Sequence, residues 1–245
     1  MLRHLGNKRT YAHNVQIAAL LSLSAGFINA AGFLGFSVLT TNVTGHAALF
    51  AERLVTGDWK TSRVVALWML FFLAGAFLSS LIINSIGRNQ RFSYVVPLLI
   101  EMTVFFLIGS FGYHYDHSLV AREVFAGSLL FVMGMQNAMV SLVSGAEVRT
   151  THLTGTFTDL GIELAQWIRA PKTEGSPLRP KLKLRTTIIT CFLSGALAGA
   201  YIFRYYSYHS FFLPFALLVY TLGYDIFRIR VKRYYRRLSL SARKK

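Results

Sequence analysis

The sequence predicts an all-α fold, a polytopic bundle of transmembrane helices. Of the 245 residues, 53% are hydrophobic and 15% are charged, whereas about a quarter of an average soluble domain is charged. Several apolar runs reach the roughly 17–25 residues that a helix needs to cross a bilayer. The 26 Lys and Arg are concentrated at the N-terminus, in a central loop and in the tail, a distribution typical of cytoplasmic segments. We therefore expect one integral membrane domain over residues 1–245, with both termini in the cytoplasm.

The composition also excludes other classes of protein. The net charge of +16 lies in these topology-determining clusters, so no nucleic-acid partner is expected. Cys191 is the single cysteine, which rules out an intramolecular disulfide and a cysteine-cluster metal site. The first apolar run, residues 15–39, exceeds the about 7–15 residues of a signal-peptide core and predicts a retained span. No metalloprotease, hydrolase or P-loop motif is present, and we expect neither enzymatic activity nor a cofactor.

In chain order, six apolar segments are predicted to cross the membrane: residues 15–39, 64–86, 92–113, 124–143, 186–203 and 211–227. Two shorter amphipathic segments, residues 41–55 and 153–168, follow the first and the fourth of them. A loop at 170–185 is rich in Pro, Lys and Arg and is too polar to enter the bilayer, and the tail from 228 to 245 is basic. We expect both the loop and the tail in the cytoplasm.

The chain contains an internal repeat, with copies at residues 15–117 and 124–227. Matching features occur in the same order in both copies: GFINA at 26–30 and GMQNA at 134–138, TNVTG at 41–45 and THLTG at 151–155, LAGA at 73–76 and LSGA at 193–196, and Pro97 and Pro214. Each match is weak by itself, because small residues are common in membrane helices. Their shared order is what indicates a duplication.

The two amphipathic segments decide the topology. A helix over 41–55 would be about 22 Å long at 1.5 Å per residue, which is shorter than the hydrocarbon layer. The later segment carries Asp159, Glu163 and Gln166, which are costly on a helix that faces lipid. We therefore favour six spans plus two re-entrant half-helices, with three spans per repeat and hence inverted repeats. Eight spans with parallel repeats are the alternative, and the distribution of Lys and Arg does not separate the two.

The Thr-Gly motifs at the starts of the half-helices form the candidate site. Thr and Asn side chains cap the first N–H groups of a helix, glycine lets other atoms approach the backbone closely, and the positive helix end favours an anion. In inverted-repeat transporters two such ends meet near the midplane. An alternative is that these residues only cap the helices and fix their packing. The residues assigned to this site are Asn42, Thr44, Gly45, Thr151, His152, Thr154 and Gly155.

Further candidates lie beside these motifs and in one other span. Asn29 and Asn137 are amides in the preceding spans, which either bind the solute or hydrogen-bond across helices and hold the bundle together. Arg149 precedes the second motif and is a candidate ion-pair partner for Asp159. Glu101 is the only acidic residue in the middle of a clear span. Intramembrane carboxylates serve as proton-relay or cation sites, or as hydrogen-bonded structural groups.

The run VRTTHLTG at 148–155, with GMQNA before it and DLG after it, resembles the YoaK family of bacterial multi-spanning inner-membrane proteins. The earlier copies at 26–30 and 41–45 are similar as well, and the resemblance covers nearly the whole chain except the tail. At the first motif this chain has His46 after the glycine, where we expect Asn. The resemblance implies a multi-spanning protein of the bacterial inner membrane. It implies no activity, because that family is uncharacterised.

These observations favour a secondary transporter or permease for a small solute, and the helix starts favour an anion. Two alternatives remain open: an intramembrane enzyme that uses His152, Asp159 and Glu101, and a non-catalytic scaffold or sensor whose basic tail binds lipid or a partner. The expected partners are membrane lipids and a small-molecule solute. Formation of a homo-oligomer is compatible with the sequence.

Overall fold

The structure is a computed structural model that describes residues 11–87, 93–114, 118–169 and 178–224. These residues form an all-helical bundle, as predicted. The helices are α1 (Tyr11–Phe36), α2 (Val43–Val55), α3 (Trp59–Ile86), α4 (Val95–Phe111), α5 (Leu119–Ser144), α6 (Leu153–Arg169) and α7 (Leu178–Tyr206), followed by a helical run at 212–224 that we call α8. The predicted basic tail, and residues 170–177 of the predicted basic loop, lie outside the described residues.

Among the described residues, five helical runs are long and apolar enough to cross a membrane: α1, α3, α4 with the short 3-10 helix that follows it, α5, and residues 178–224. The last run has 47 residues, which would extend about 70 Å, more than twice the ~30 Å of the hydrocarbon core. It is interrupted at Ser207, whose φ is 45°, and by a 3-10 helix at Ser207–Phe211. Beyond this break Phe212 lies against Gly109 and Phe215 against Phe106. Because α8 returns along α4 in this way, residues 178–224 form two helical segments joined by a break and not one straight helix.

The first helices of the two repeats, α1 and α5, run antiparallel. Near the start of α1, the Asn14 amide hydrogen-bonds Glu147, just past the end of α5. In the middle, the Gln136 Nε2 of α5 donates to a carbonyl of α1 at 3.0 Å. At the end of α1, Phe36 stacks on Phe125 near the start of α5, with ring centroids 5.3 Å apart. Six spans require this direction, whereas eight spans would make the two helices parallel. We call the two ends of the bundle the Tyr11 end and the Phe36 end.

The most extensive helix contacts join the two repeats: α1 packs along α7, and α3 along α5. Small residues let the main chains touch at matched positions, because an added Cβ would collide with a backbone carbonyl. The contacts come in corresponding pairs: Gly26 on Phe192 and Gly134 on Phe72, then Gly195 on Leu23 and Gly75 on Phe131. In addition, α2 packs on α3 and α6 packs on α7. We call α1, α6 and α7 the first sub-bundle, and α2, α3 and α5 the second.

The short helix α2 enters and leaves the bundle at the same end. Before it, the Thr41 N–H donates to the Asn29 Oδ1 at 3.1 Å, so the chain has turned back from the end of α1 toward its middle. Its 13 residues extend about 20 Å, and it ends where α3 begins, at the Phe36 end. Its N-terminus is capped by Asn42, whose Oδ1 accepts from the Gly45 N–H at 3.0 Å.

The helix α6 is arranged in the same way from the opposite end. The segment before it returns to the middle of α5, where the Gln136 Nε2 donates to the Thr150 hydroxyl at 3.2 Å. The helix then runs back toward the Tyr11 end. There Arg185 of α7 forms an ion pair with Asp159 of α6 and donates a hydrogen bond to the carbonyl of Glu147, just past α5. Both short helices therefore have the re-entrant geometry that their length and polarity predict.

Candidate functional site

The N-termini of α2 and α6 meet at a cavity of about 590 Å³ between the two sub-bundles, which we call the central cavity. Loops, helix starts and the amides of α1 and α5 supply its polar wall, and α3 and α7 supply two aromatic rings, Phe72 and Phe192. Most of the residues predicted from the sequence line it: Asn29, Asn42, Thr44, Asn137, Arg149, Thr151, His152 and Thr154. The structure thus brings residues from four separate segments of the chain to one place.

The lining of the central cavity consists largely of residue pairs at matched positions of the two repeats. The pairs with the same residue are Asn29 and Asn137, Thr41 and Thr151, Thr44 and Thr154, and Phe72 and Phe192. Val43 matches Leu153, so both residues at this position are aliphatic and differ only in size. Two positions differ in chemistry: Leu39 matches Arg149, and Asn42 matches His152. Both differences put the more basic residue in the second repeat.

The two half-helices begin with the same local geometry. The His46 N–H donates to the Asn42 carbonyl at 3.1 Å, and the Thr156 N–H donates to the His152 carbonyl at 3.1 Å. The third residue of each helix is a glycine, and an added Cβ there would collide with the Asn42 amide or the His152 imidazole. These glycines allow the preceding side chain to fold over the helix end. Gly45 therefore supports the cavity wall and does not itself line the cavity.

A second, smaller cavity of about 310 Å³ adjoins the central one on the side of the Tyr11 end. The two cavities share Arg149 and His152, and the second is also lined by Gly155, Asp159 and Arg185. We call it the side cavity. Arg149 and His152 therefore lie where the two cavities adjoin.

The predicted pairing of Asp159 with Arg149 is wrong, because Asp159 pairs with Arg185. The Arg185 Nη2 lies 3.2 Å from the Asp159 Oδ2, and its Nε lies 3.7 Å from a carboxylate oxygen of Glu163. The Nη1 also donates to the Glu147 carbonyl at 3.2 Å. The Asp159 charge is therefore balanced from α7. Arg149 has no ion pair or side-chain hydrogen bond with any described residue, and its charge remains available to the cavities.

Glu101 lies apart from the other candidates, on the buried face of α4, and lines neither cavity. It is 1% exposed, and its Oε1 has no hydrogen-bond partner among the described residues. Alignment of Pro97 with Pro214 matches Glu101 to Leu218, which is fully buried in α8. The position is thus a core position in both repeats, with a carboxyl group in only one of them.

Sequence reasoning missed the apolar part of the site. Phe72 and Phe192 line the central cavity. Leu39 lines it as well, and its counterpart in the second repeat is Arg149. The two phenylalanines could have been found, because each directly precedes the repeated LAGA or LSGA motif. Arg185 had no such signal, since nothing in the sequence fixes the register of α7 against α6. Among the residues that the structure describes, no group of three His, Cys, Asp or Glu is placed to hold a metal ion.

Long apolar helices around a cavity with both polar and apolar lining define a membrane-embedded, polytopic helical protein. The chain belongs to the family described as "Protein of unknown function (DUF1275)", whose model matches residues 17–224. That stretch runs from α1 through α8 and includes both half-helices. No curated protein and no solved structure matches the chain.

Proposed function

We propose that the protein is a secondary transporter or permease that moves a small anion through the central cavity. The observation that supports this most directly is the meeting of two helix N-termini, one from each sub-bundle, at one cavity. Backbone N–H groups at a helix start carry partial positive charge and favour an anion. Arg149 adds a full positive charge, and no described residue that lines the central cavity is acidic. This combination of positive charges disfavours cations.

The two sub-bundles give the proposal a means of alternating access. Each sub-bundle is held together by main-chain contacts at glycines, and each contributes one half-helix to the cavity. Contacts between α1 or α7 and α5 or the chain just past it occur at both ends, Phe36 with Phe125 at the Phe36 end and Asn14 and Arg185 with Glu147 at the Tyr11 end. At the Tyr11 end, the side cavity continues from the central one. We propose that this conformation opens toward the Tyr11 end, and that rocking of the sub-bundles about the α1–α5 crossing opens the other end.

The distribution of basic residues supports an orientation for this route. The predicted basic loop and tail both follow segments that leave the bundle at the Tyr11 end, and positively charged segments stay in the cytoplasm. We propose that the Tyr11 end faces the cytoplasm of a bacterial cell, in keeping with the resemblance to the YoaK family. The anion would then reach Arg149 and His152 from the cytoplasm in the conformation described.

Thiol accessibility tests this function without knowledge of the solute. In a Cys191→Ala chain, Thr44→Cys and Thr154→Cys are expected to react with a small anionic thiol reagent, because both positions line the central cavity. The matched control is Thr103→Cys, whose side chain is exposed on α4 away from both cavities and would face lipid. The anionic reagent should modify the two cavity cysteines faster than a cationic reagent does, and should leave the control unmodified. If neither cavity cysteine reacts, there is no water-filled anion path and the proposal is wrong.

A further inference from the structure

The lining of the central cavity is symmetric in its hydrogen-bonding groups and rings but asymmetric in its charge. Asparagines, threonines and phenylalanines face the cavity in matched pairs from both repeats. The positive charge of Arg149 has only Leu39 as its counterpart, and the His152 imidazole has only the Asn42 amide. A ligand that fits this lining therefore has one charged end and one uncharged end.

The charge of the ligand follows from the ion pairs around the cavity. Arg185 balances the carboxylates of Asp159 and Glu163, and Arg149 has no partner among the described residues. One free guanidinium matches one negative charge, and its planar donors fit a carboxylate in a two-point contact. His152 lies beside Arg149 in both cavities and offers a further nitrogen to the same group.

The size and the apolar part of the cavity indicate an organic ligand. A volume of about 590 Å³ is typical of sites for small organic molecules and far exceeds that of a simple inorganic anion. Phe72 comes from the second sub-bundle and Phe192 from the first, so each sub-bundle contributes one aromatic ring to the cavity. Leu39, Val43 and Leu153 add apolar surface that an inorganic ion cannot use. Burial of a carbon skeleton against these groups is favourable.

We infer that the solute is a small organic monoanion, with its carboxylate at Arg149 and His152 and an apolar or planar body between Phe72 and Phe192. This inference rests on the proposed transport function and specifies its substrate class. Arg149 is the residue that determines the charge specificity. The amides and hydroxyls of the matched pairs hydrogen-bond any polar groups on the body of the solute. The uncharged end of the solute binds beside Leu39 and Asn42, which carry no charge.

Binding to the purified full-length protein in lipid nanodiscs tests this inference with three probes. Benzoate has the proposed charge and body, benzamide is its neutral counterpart, and sulfate is an inorganic anion without a carbon body. Thermal unfolding and calorimetric titration should show that benzoate binds at least about tenfold more tightly than benzamide, since hydrogen bonds to charged groups are the stronger ones. Sulfate should bind more weakly than benzoate.

Variants then assign the preference to Arg149. Arg149→Leu puts leucine at both matched positions and removes the guanidinium, so it should remove the preference for benzoate over benzamide, while Arg149→Lys should retain most of it. Leu39→Arg combined with Arg149→Leu moves the cation to the matched position and should restore the preference. Arg63→Leu is the control, because it removes the same charge from an exposed position on α3 outside both cavities. The melting temperature without ligand reports whether each variant is folded.

Three results would overturn the inference. Equal affinity for benzoate and benzamide would mean that the site does not recognise charge, and binding of none of the probes would remove the organic monoanion as its ligand. Sulfate binding more tightly than benzoate would reject the organic class and leave anion transport in place. Failure of the transport proposal itself is distinguishable, because it appears as unreactive cysteines at Thr44 and Thr154, whereas these titrations need no transport.

Discussion

Replacing Gly75 by alanine would put a methyl group against the backbone carbonyl of Phe131, because α3 and α5 touch through their main chains at that point. A backbone carbonyl in a helix cannot rotate away from the methyl group, so the two helices have to separate. Gly195→Ala makes the corresponding change between α7 and α1, where the added Cβ meets the carbonyl of Leu23. Both variants are therefore expected to loosen a sub-bundle at its closest contact.

The magnitude follows from a comparison with an open position. Forcing an extra carbon into a tightly packed interface destabilises a protein by about 1–3 kcal/mol, whereas alanine is favoured over glycine inside a helix by about 1 kcal/mol. At Gly161 in α6 an added Cβ meets nothing within 4 Å, so Gly161→Ala has the second effect alone. The difference in unfolding free energy between Gly75→Ala and Gly161→Ala thus isolates the overpacking, about 1–3 kcal/mol.

Reversible unfolding of the full-length protein in mixed detergent micelles, followed by circular dichroism, measures these differences. Gly75→Ala and Gly195→Ala are expected to lose similar amounts of stability, because the two contacts correspond in the repeats. If both variants prove as stable as Gly161→Ala, the main chains do not touch at these glycines. The pairing of α3 with α5 and of α7 with α1 would then be wrong.

Two further predictions concern topology and pH. In a Cys191→Ala chain, Trp59→Cys should react with a membrane-impermeant thiol reagent from outside the cell and Ala146→Cys only after permeabilisation; the opposite pattern would indicate eight spans. Hydrogen bonds from Thr61, first from its side chain and then from its backbone, lower the pKa of Asp58 below 3.8. Since the folded pKa is the lower one, the stabilisation is present above 3.8 and is lost as the pH falls through the folded value. Unfolding midpoints measured against pH should show this acid loss in the wild type and not in Asp58→Asn, and identical profiles would contradict it.

The apolar runs of the sequence correspond to helices of the structure, but they predicted the helix ends poorly. The structure starts α3 at Trp59 and α7 at Leu178, whereas the apolar runs begin at residues 64 and 186. Hydropathy marks the part of a helix that lies in lipid, and polar turns that extend into the interface have no hydropathy signal. The start of α3 could have been read from Asp58, whose side chain accepts from the Thr61 N–H as an N-cap.

The candidate site could be predicted where repetition or local chemistry marked it. Capping residues and glycines marked the two half-helix starts, and the repeat indicated that they correspond. The choice between six and eight spans depended on the antiparallel contact of α1 with α5, which is long-range and leaves no periodic trace in the sequence. The pairing of Asp159 with Arg185 is long-range as well. It depends on how far α7 extends beyond the lipid and on which face it turns to α6.

Each sub-bundle contains helices from both repeats. This arrangement sets the order in which the two sub-bundles can be completed during synthesis. The second sub-bundle needs only segments up to α5, so it is able to assemble while the chain is still being made. The first sub-bundle begins with α1 but lacks its main partner until α7 emerges more than half a chain later. Until then the surface around Gly26, which contacts the Phe192 main chain, lacks the helix that covers it. A ribosome that stalls between α5 and α7 would therefore leave α1 inserted without the helix it packs against.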